Sequence, residues 1–205
     1  MLERLRASGA RDMVDIGCGE GRFCRMARDA GLAPIGVDPT GALLEEARLR
    51  DPRGTYHKAM AEALPLADAC VDLAVFYLTL IDIAGLPAAL TEAVRVLRPG
   101  GRILIANLAG FITAARHDGF GRNADGTGTI HMRNYLDADA YRTHWRGIDI
   151  VNHHRPPAAY MRALLEAGLI LTHYDEPPST HPDPQIRARY NHVAYFIVME
   201  WQKPA

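Results

Sequence analysis

The run Val14-Asp15-Ile16-Gly17-Cys18-Gly19-Glu20-Gly21-Arg22 sets glycines at alternate positions behind a carboxylate. Glycine at a strand-to-helix turn lets the backbone take positive φ and lets a ligand approach without meeting a Cβ. The helix that follows offers unpaired N–H groups at its start. A carboxylate at Asp15 suits a ligand bearing an ammonium group better than one bearing a pyrophosphate. A tight turn alone would also use such glycines. A second carboxylate, Asp38, precedes Pro39 about 20 residues downstream, where it can accept both hydroxyls of a ribose. It can equally cap the helix beginning near Thr40, and the two roles are compatible. Of the 9 histidines, all but His57 lie after residue 108. His131, His144, His153 and His154 share the 110–155 stretch with Tyr135, Tyr141 and Trp145. Histidine alone titrates near neutrality without perturbation, so a general base can come from this set, although surface or core placement is the commoner fate of any one histidine.

These residues need elements to position them. Residues 13–16, 34–37, 55–60, 71–77 and 102–107 read as strands. Residues 21–30, 40–50 and 86–97 read as helices, the second with Leu43, Leu44 and Ala47 inward. Gly31 stops the first helix, and Pro99-Gly100-Gly101 stops the third. Short apolar runs alternating with helical patterns indicate a parallel sheet covered by helices. Beyond Leu108 the chain becomes polar and rich in Gly and His. Gly126 and Gly128 precede an alternating stretch at 129–135, and Gly147 precedes 148–151. The 110–155 segment therefore reads as an irregular insertion, a hairpin with a short helix around 137–144. A helix at 156–167 follows, then a strand at 169–174, a Pro-rich loop at 176–187 and a last strand at 192–201. Long irregular segments inside compact domains usually carry function, so substrate contacts are expected in the insertion.

The 205 residues fit one domain at roughly 150 residues each. A formal net charge of −1 gives no global pull toward nucleic acid or an anionic membrane. The 3 cysteines, Cys18, Cys24 and Cys70, are odd in number, which excludes a disulfide scaffold and fits a reducing compartment. The chain opens without a signal-peptide pattern, and its longest apolar run, 73–81, is half the roughly 20 residues of a membrane span. A soluble cytoplasmic protein, monomer or homodimer, is expected.

The glycines fall as G-x-G-x-G, not the G-x-G-x-x-G of dinucleotide binders. That spacing after an acidic residue resembles motif I of the class I S-adenosylmethionine-dependent methyltransferases. Ala61-Glu62-Ala63-Leu64-Pro65-Leu66, followed by 68–75, resembles that family's path from third to fourth strand. Arg95-Val96-Leu97-Arg98-Pro99-Gly100-Gly101-Arg102-Ile103-Leu104 resembles its entry to the fifth strand. In this order the matches cover residues 12–107. Asn152-His153-His154-Arg155-Pro156, with Tyr160, Leu164, Leu165 and Ala167-Gly168, resembles the entry to the helix before the sixth strand in many small-molecule members.

The resemblance implies an α/β, Rossmann-like, seven-stranded and mostly parallel sheet with helices on both faces. Its last strand is antiparallel and an insertion follows the fifth. One domain, 1–205, would comprise a cofactor half at 1–107, a substrate and lid insertion at 108–155, and a closing helix and strand pair at 156–205. The implied activity is in-line transfer of a methyl group from S-adenosylmethionine to an oxygen or nitrogen of a small-molecule acceptor, leaving S-adenosylhomocysteine. Implied cofactor contacts are Asp15, Gly17, Cys18, Gly19, Gly21, Asp38, Pro39, Met60, Ala61, Glu62 and Tyr77. His154, on a loop facing the acceptor, is the first candidate base, with Tyr135 and His131 as further catalytic candidates.

Two departures stand out. Met60 replaces the acidic residue that often bonds adenine, and only about ten residues precede the first strand where members carry N-terminal lid helices. The insertion would then exclude water. No metal is expected, since adjacent His153 and His154 chelate poorly. A nicotinamide-dependent oxidoreductase and a non-catalytic S-adenosylmethionine-binding module are the alternatives. Nucleic-acid methylation is disfavoured, because Phe76-Tyr77-Leu78-Thr79 stands where an Asn/Asp-Pro-Pro-Tyr/Phe element would be and no basic tract is present.

Overall fold

The structure is a computed structural model that describes residues 1–116, 118–125, 127–145 and 148–205. The chain begins with a short helix, α1 (Leu2–Ala7), then alternates through β1 (Asp12–Ile16), α2 (Arg22–Asp29), β2 (Ala33–Asp38), α3 (Gly41–Arg50), β3 (Thr55–Lys58), β4 (Val71–Tyr77), α4 (Leu86–Val96) and β5 (Leu97–Leu108). These strands are short apolar runs because both of their faces are covered. In β1, Val14 joins the core on one face of the sheet and Met13 the core on the other. The alternation of side chains along a strand produces this split.

The segment after β5 holds α5 (Gly110–Ala115) and two small antiparallel pairs, β6 (Phe120–Arg122) with β7 (Gly128–Ile130), and β8 (Asp139–Trp145) with β9 (Ile148–His154). The chain then returns through α6 (Pro157–Glu166), β10 (Ile170–Asp175), α7 (Pro184–Tyr190) and β11 (Phe196–Gln202). The main sheet has 7 strands in the order β3-β2-β1-β4-β5-β11-β10. β11 runs antiparallel to both β5 and β10, and β1 to β5 are parallel. The expected sheet, antiparallel last strand and insertion are all present.

Three local expectations are corrected. Residues 137–144 form no helix; β8 runs through them, because Tyr141 and Thr143 alternate toward a cavity with a period of two. Part of the Pro-rich loop is α7, whose start Asp183 caps by accepting from Gln185 N and Ile186 N, with Pro184 at the first helical position. Leu43 is 41% exposed, so the inner face of α3 is carried by Leu44 and Ala47. Gly126 and Gly147 lie outside the described residues. Among the described residues no helix is long and apolar enough to cross a membrane.

α1 is held against the sheet by Leu5, packed near Met13 and Phe23, and by Arg4, which donates to Glu200 Oε2 at 2.9 and 2.7 Å. Glu200 is a buried carboxylate in β11, and Arg102 of β5 also pairs with it. Burial pushes its pKa up, but the two guanidinium groups reverse that and hold it below the usual glutamate range. Such a depressed pKa contributes stability that is present above the normal glutamate pKa and lost as pH falls through the depressed one. Glu200→Gln is therefore expected to lower unfolding free energy by about 1–3 kcal/mol at pH 7. In urea titrations the gap between wild type and variant should narrow at pH 3; an equal gap at both pH values would contradict the assignment.

Candidate active site

β1 and β4 lie side by side, and the chain leaves their carboxyl ends toward opposite edges of the sheet. A crevice opens at such a switch point. The loop after β1 carries the three glycines, and they do different things. Gly17 has φ +78°, and a Cβ there would lie 2.7 Å from the Thr79 side chain. Thr79 Oγ1 donates to Ile16 O at 2.9 Å, stitching the two loops together. Gly21 at φ +76° admits the Tyr56 hydroxyl, which a Cβ would meet at 2.6 Å. Only Gly19, at φ +54°, has nothing within 4 Å of its Cβ position. It is the glycine that leaves space for a ligand.

The N–H groups of this loop are already engaged. Gly17 N and Cys18 N donate to Val37 O at 2.8 and 3.1 Å. Gly19 N donates to Asp38 Oδ2 at 2.9 Å, and Thr40 N donates to Asp38 Oδ1 at 2.8 Å. Asp38 thus fixes both the glycine loop and the turn into α3, while each of its oxygens keeps a lone pair for a diol. Asp15 is 1% exposed; its Oδ2 accepts from the Cys24 thiol at 3.5 Å and its Oδ1 has no partner. Burial pushes its pKa up to about 7, with the Cys24 contact opposing and the charge of Asp38 adding to the rise. A buried carboxylate oxygen without a partner at the foot of a ligand loop calls for a cation.

Ala59 N donates to Asp38 O at 3.3 Å, which brings the next residue, the exposed Met60, to the Asp38 end of the crevice. Ala61 is buried. Glu62 Oε1 accepts from Gly85 N at 3.1 Å and so holds the start of α4. Pro39 is exposed, Cys18 is buried, and Tyr77 stacks on Phe23 with ring centroids 4.7 Å apart.

Beside the crevice lies a cavity of about 500 Å³, in the size range of small-molecule sites. The end of β4 supplies Leu78, Ile81 and Asp82; β8 and β9 supply Tyr141, Thr143 and Asn152; α7 and the start of β11 supply Arg189, Tyr190 and Phe196. Two lining residues are non-glycines in left-handed backbone, Leu78 at φ +61° and Arg116 at φ +54°. Such strain gathers at functional sites. β9 grips the loop after β4: His153 N donates to Ile81 O at 2.6 Å, and Asn152 Nδ2 donates to Asp82 Oδ1 at 2.9 Å. The buried Arg155 guanidinium donates to the carbonyls of Leu80, Ile83 and Ala84. The side chain of Asp82 is open to the cavity, yet the surrounding protein desolvates it enough to raise its pKa to about 6. The Asn152 contact opposes that rise and Asp38 adds to it.

The placement expected for His154 is corrected. It ends β9 and is 2% exposed, with Nδ1 2.7 Å from Thr113 Oγ1 and Nε2 3.0 Å from Tyr135 O. Both ring nitrogens are engaged away from the cavity. Tyr135 joins it, stacking on Phe111 at 5.4 Å and tilting against the His154 ring at 6.1 Å. His131 is exposed, and its backbone N–H donates to Gly119 O at 2.8 Å. Sequence reasoning missed Asp82 and Arg189. The one signal for Asp82 was a lone acid inside the apolar run Leu80-Ile81-Asp82-Ile83 at the end of a buried strand.

Comparison with known proteins bears on this arrangement. A family pattern described as a methyltransferase domain matches residues 14–105. The crystal structure of an S-adenosylmethionine-dependent methyltransferase from Mesorhizobium loti superposes with a TM-score of 0.84 at 29% identity, covering 98% of this chain and 96% of that one. Residues 14–105 thus carry a methyltransferase-domain pattern, and the whole chain shares its fold with S-adenosylmethionine-dependent methyltransferases. Among curated relatives, a malonyl-[acyl-carrier protein] O-methyltransferase of Pectobacterium atrosepticum is 38% identical over 109 residues, 53% of this chain and 43% of the relative. The chain thus spans less than half the length of the curated relatives it matches. A 1,6-didemethyltoxoflavin-N1-methyltransferase from Burkholderia thailandensis, crystallised with S-adenosylhomocysteine, shares the fold at TM-score 0.65 and 15% identity, covering 100% of this chain and 78% of that one.

The residues present fit the cofactor of this methyltransferase family. Gly19 borders open space, Asp38 retains lone pairs, and Asp15 offers an unpartnered buried oxygen to a cofactor that carries positive charge. Gly19→Ala, which meets no protein atom, should cost about 1–2 kcal/mol in stability through its backbone and lower S-adenosylhomocysteine affinity at least about tenfold. Gly17→Ala should instead destabilise by several kcal/mol through the Thr79 clash. Equal thermal shifts for the two variants would contradict this division of labour. A raised carboxyl pKa makes folding less favourable as pH rises from the normal aspartate value toward about 7. Asp15→Asn should therefore raise the melting temperature of the ligand-free protein at pH 8 while weakening cofactor binding; a lower melting temperature at pH 8 would sink the claim.

Proposed function

We propose that this chain transfers the methyl group of S-adenosylmethionine to an oxygen or nitrogen of a small-molecule acceptor held in the cavity beside the crevice. The observation that carries the reading is the shared wall: the loop 78–82 borders the glycine crevice through Thr79 and lines the cavity through Leu78, Ile81 and Asp82. Asp38 would hold the ribose, Met60 and the Ala61 backbone the adenine, Asp15 the ammonium end, and Gly19 the close approach. Bound there, S-adenosylmethionine supplies an already activated methyl group, so the chain's task is to align the nucleophile at about 3 Å and keep water out. Leu78, Ile81, Leu108 and Ile112 give that wall its apolar character. His154 and Tyr135 are proposed as positioning residues that tie α5 to β9 behind the cavity. The relatives named O-methyltransferases support oxygen as the acceptor atom.

Residues 1–107 would act as the cofactor half. The 108–155 segment would cover the acceptor, joined by α7. A nicotinamide cofactor is a poorer match, because Gly17, Cys18 and Gly19 have given their N–H groups to Val37 and Asp38, leaving none of them for a pyrophosphate. A cavity with room for a second molecule speaks against a purely binding module.

Calorimetric titration with S-adenosylhomocysteine and, in parallel, NAD tests the proposal. Micromolar binding of the first and none of the second is expected. NAD binding alone would overturn it, and so would binding of neither.

A further inference from the structure

The cavity distributes its charge unevenly. At the carboxyl end of β4, Asp82 Oδ1 accepts from Asn152, and among the described residues no hydrogen bond reaches Oδ2. On the covering layer, Arg189 of α7 is exposed, with its guanidinium carbon 5.7 Å from the Phe120 ring centroid. Among the described residues Arg189 has no carboxylate within ion-pair distance. The other lining arginine differs, since Arg116 is paired with Asp139 and lies 4.7 Å over the Tyr141 ring. Among the described residues, Arg189 is therefore the one lining arginine without a carboxylate partner.

Asp38, in the cofactor crevice, is the charge that bears on Asp82. Burial raises the Tyr141 hydroxyl, and Arg116, Asp139 and Asp82 all lie near enough to act on it. Burial likewise raises Tyr195, with Tyr190 and Arg189 near enough to act on that hydroxyl. Asp82 stands on the loop after β4 that borders the glycine crevice and Arg189 stands on α7, while Tyr141, Tyr195, Phe196 and Leu108 line the same cavity. A flat apolar body suits that lining.

The geometry points to a small hydroxylated aromatic acid as the acceptor, its carboxylate on Arg189 and its hydroxyl on Asp82. This inference rests on the methyltransferase reading above and names the substrate of that same cavity. The hydroxyl proton passes to Asp82 Oδ2 as the acceptor oxygen bonds the methyl carbon, and the electron pair of the broken carbon–sulfur bond stays on sulfur. With a pKa near 6, Asp82 is ionised at neutral pH and still basic enough to take a proton in flight. A carboxylate presented as the nucleophile would meet Asp82 as a like charge. The acid group of the acceptor therefore belongs at Arg189.

The test is calorimetry on protein saturated with S-adenosylhomocysteine, using the hydroxybenzoate isomers and hydroxycinnamates as probes, each paired with its neutral carboxamide. At least one acid should bind about tenfold tighter than its amide. In Arg189→Ala that ratio should collapse toward one with S-adenosylhomocysteine affinity unchanged, and Arg189→Lys should restore part of it. Asp82→Asn should leave binding of the acid within about threefold of wild type while the rate of ether formation from S-adenosylmethionine drops at least about a hundredfold. Amides binding as tightly as acids, or no acid binding while S-adenosylhomocysteine does, would overturn the inference and leave the cofactor reading standing. An ester product would show the carboxylate to be the nucleophile and would overturn it too. Failure of S-adenosylhomocysteine to bind would instead remove the reading beneath it, and the inference with it.

Discussion

The contact between Gly17 and Thr79 holds the two halves of the site in register. At the switch between β1 and β4 the chain leaves in opposite directions, and the resulting gap would stay undefined without a stitch. Thr79 supplies that stitch by donating to the Ile16 carbonyl, and it fits because residue 17 has no side chain. The stitch also sets where Leu78 and Asp82 stand, since they flank Thr79 in one short loop. Leu78 accepts a left-handed backbone to make the turn, and β9 braces the loop from above through Asn152, His153 and Arg155. The glycine crevice and the neighbouring cavity are thus two sides of one braced loop.

Charge is the second constraint. Burial raises the cost of ionising Asp15 and Asp82, and the charge of Asp38 adds to it at both. Without a ligand this concentration of carboxylates works against folding at neutral pH. A cationic cofactor bound there would reverse the sign and so couple binding to stability. Fold positions remote from the crevice show the opposite design. Glu200 is as buried as Asp15 but sits between Arg4 and Arg102, and its role is structural.

Much of this was legible in the sequence because it depends on local pattern. Short, mostly apolar runs mark β1, β2 and β4, and their order predicts the parallel half of the sheet. The acidic, alternating-glycine loop and Asp38 were visible as a site for the same reason. What the sequence hid depends on packing at long range. Nothing local distinguishes Gly19 from Gly17 and Gly21; only Thr79 and Tyr56, 62 and 35 residues away, show which glycines serve the protein and which the ligand. His154 sits beside Arg155-Pro156 like a loop residue, yet Thr113 and the Tyr135 carbonyl draw its ring inside. Asp82 carried no local mark of a site, and only its contact with Asn152, 70 residues on, shows its place beside the cavity. The stretch at 137–144 misled because its alanines and arginine favour helix locally, while β9 offers it a strand partner instead.

In the proposed site Gly19 faces the cofactor and loop 78–82 separates cofactor from acceptor. A crystal structure with S-adenosylhomocysteine bound tests it most directly. The account predicts the methionine portion against Gly19, the ribose hydroxyls on Asp38, and the sulfur directed past Leu78 toward the cavity that holds Asp82. A ligand seated elsewhere, or one whose sulfur points away from that cavity, would contradict it.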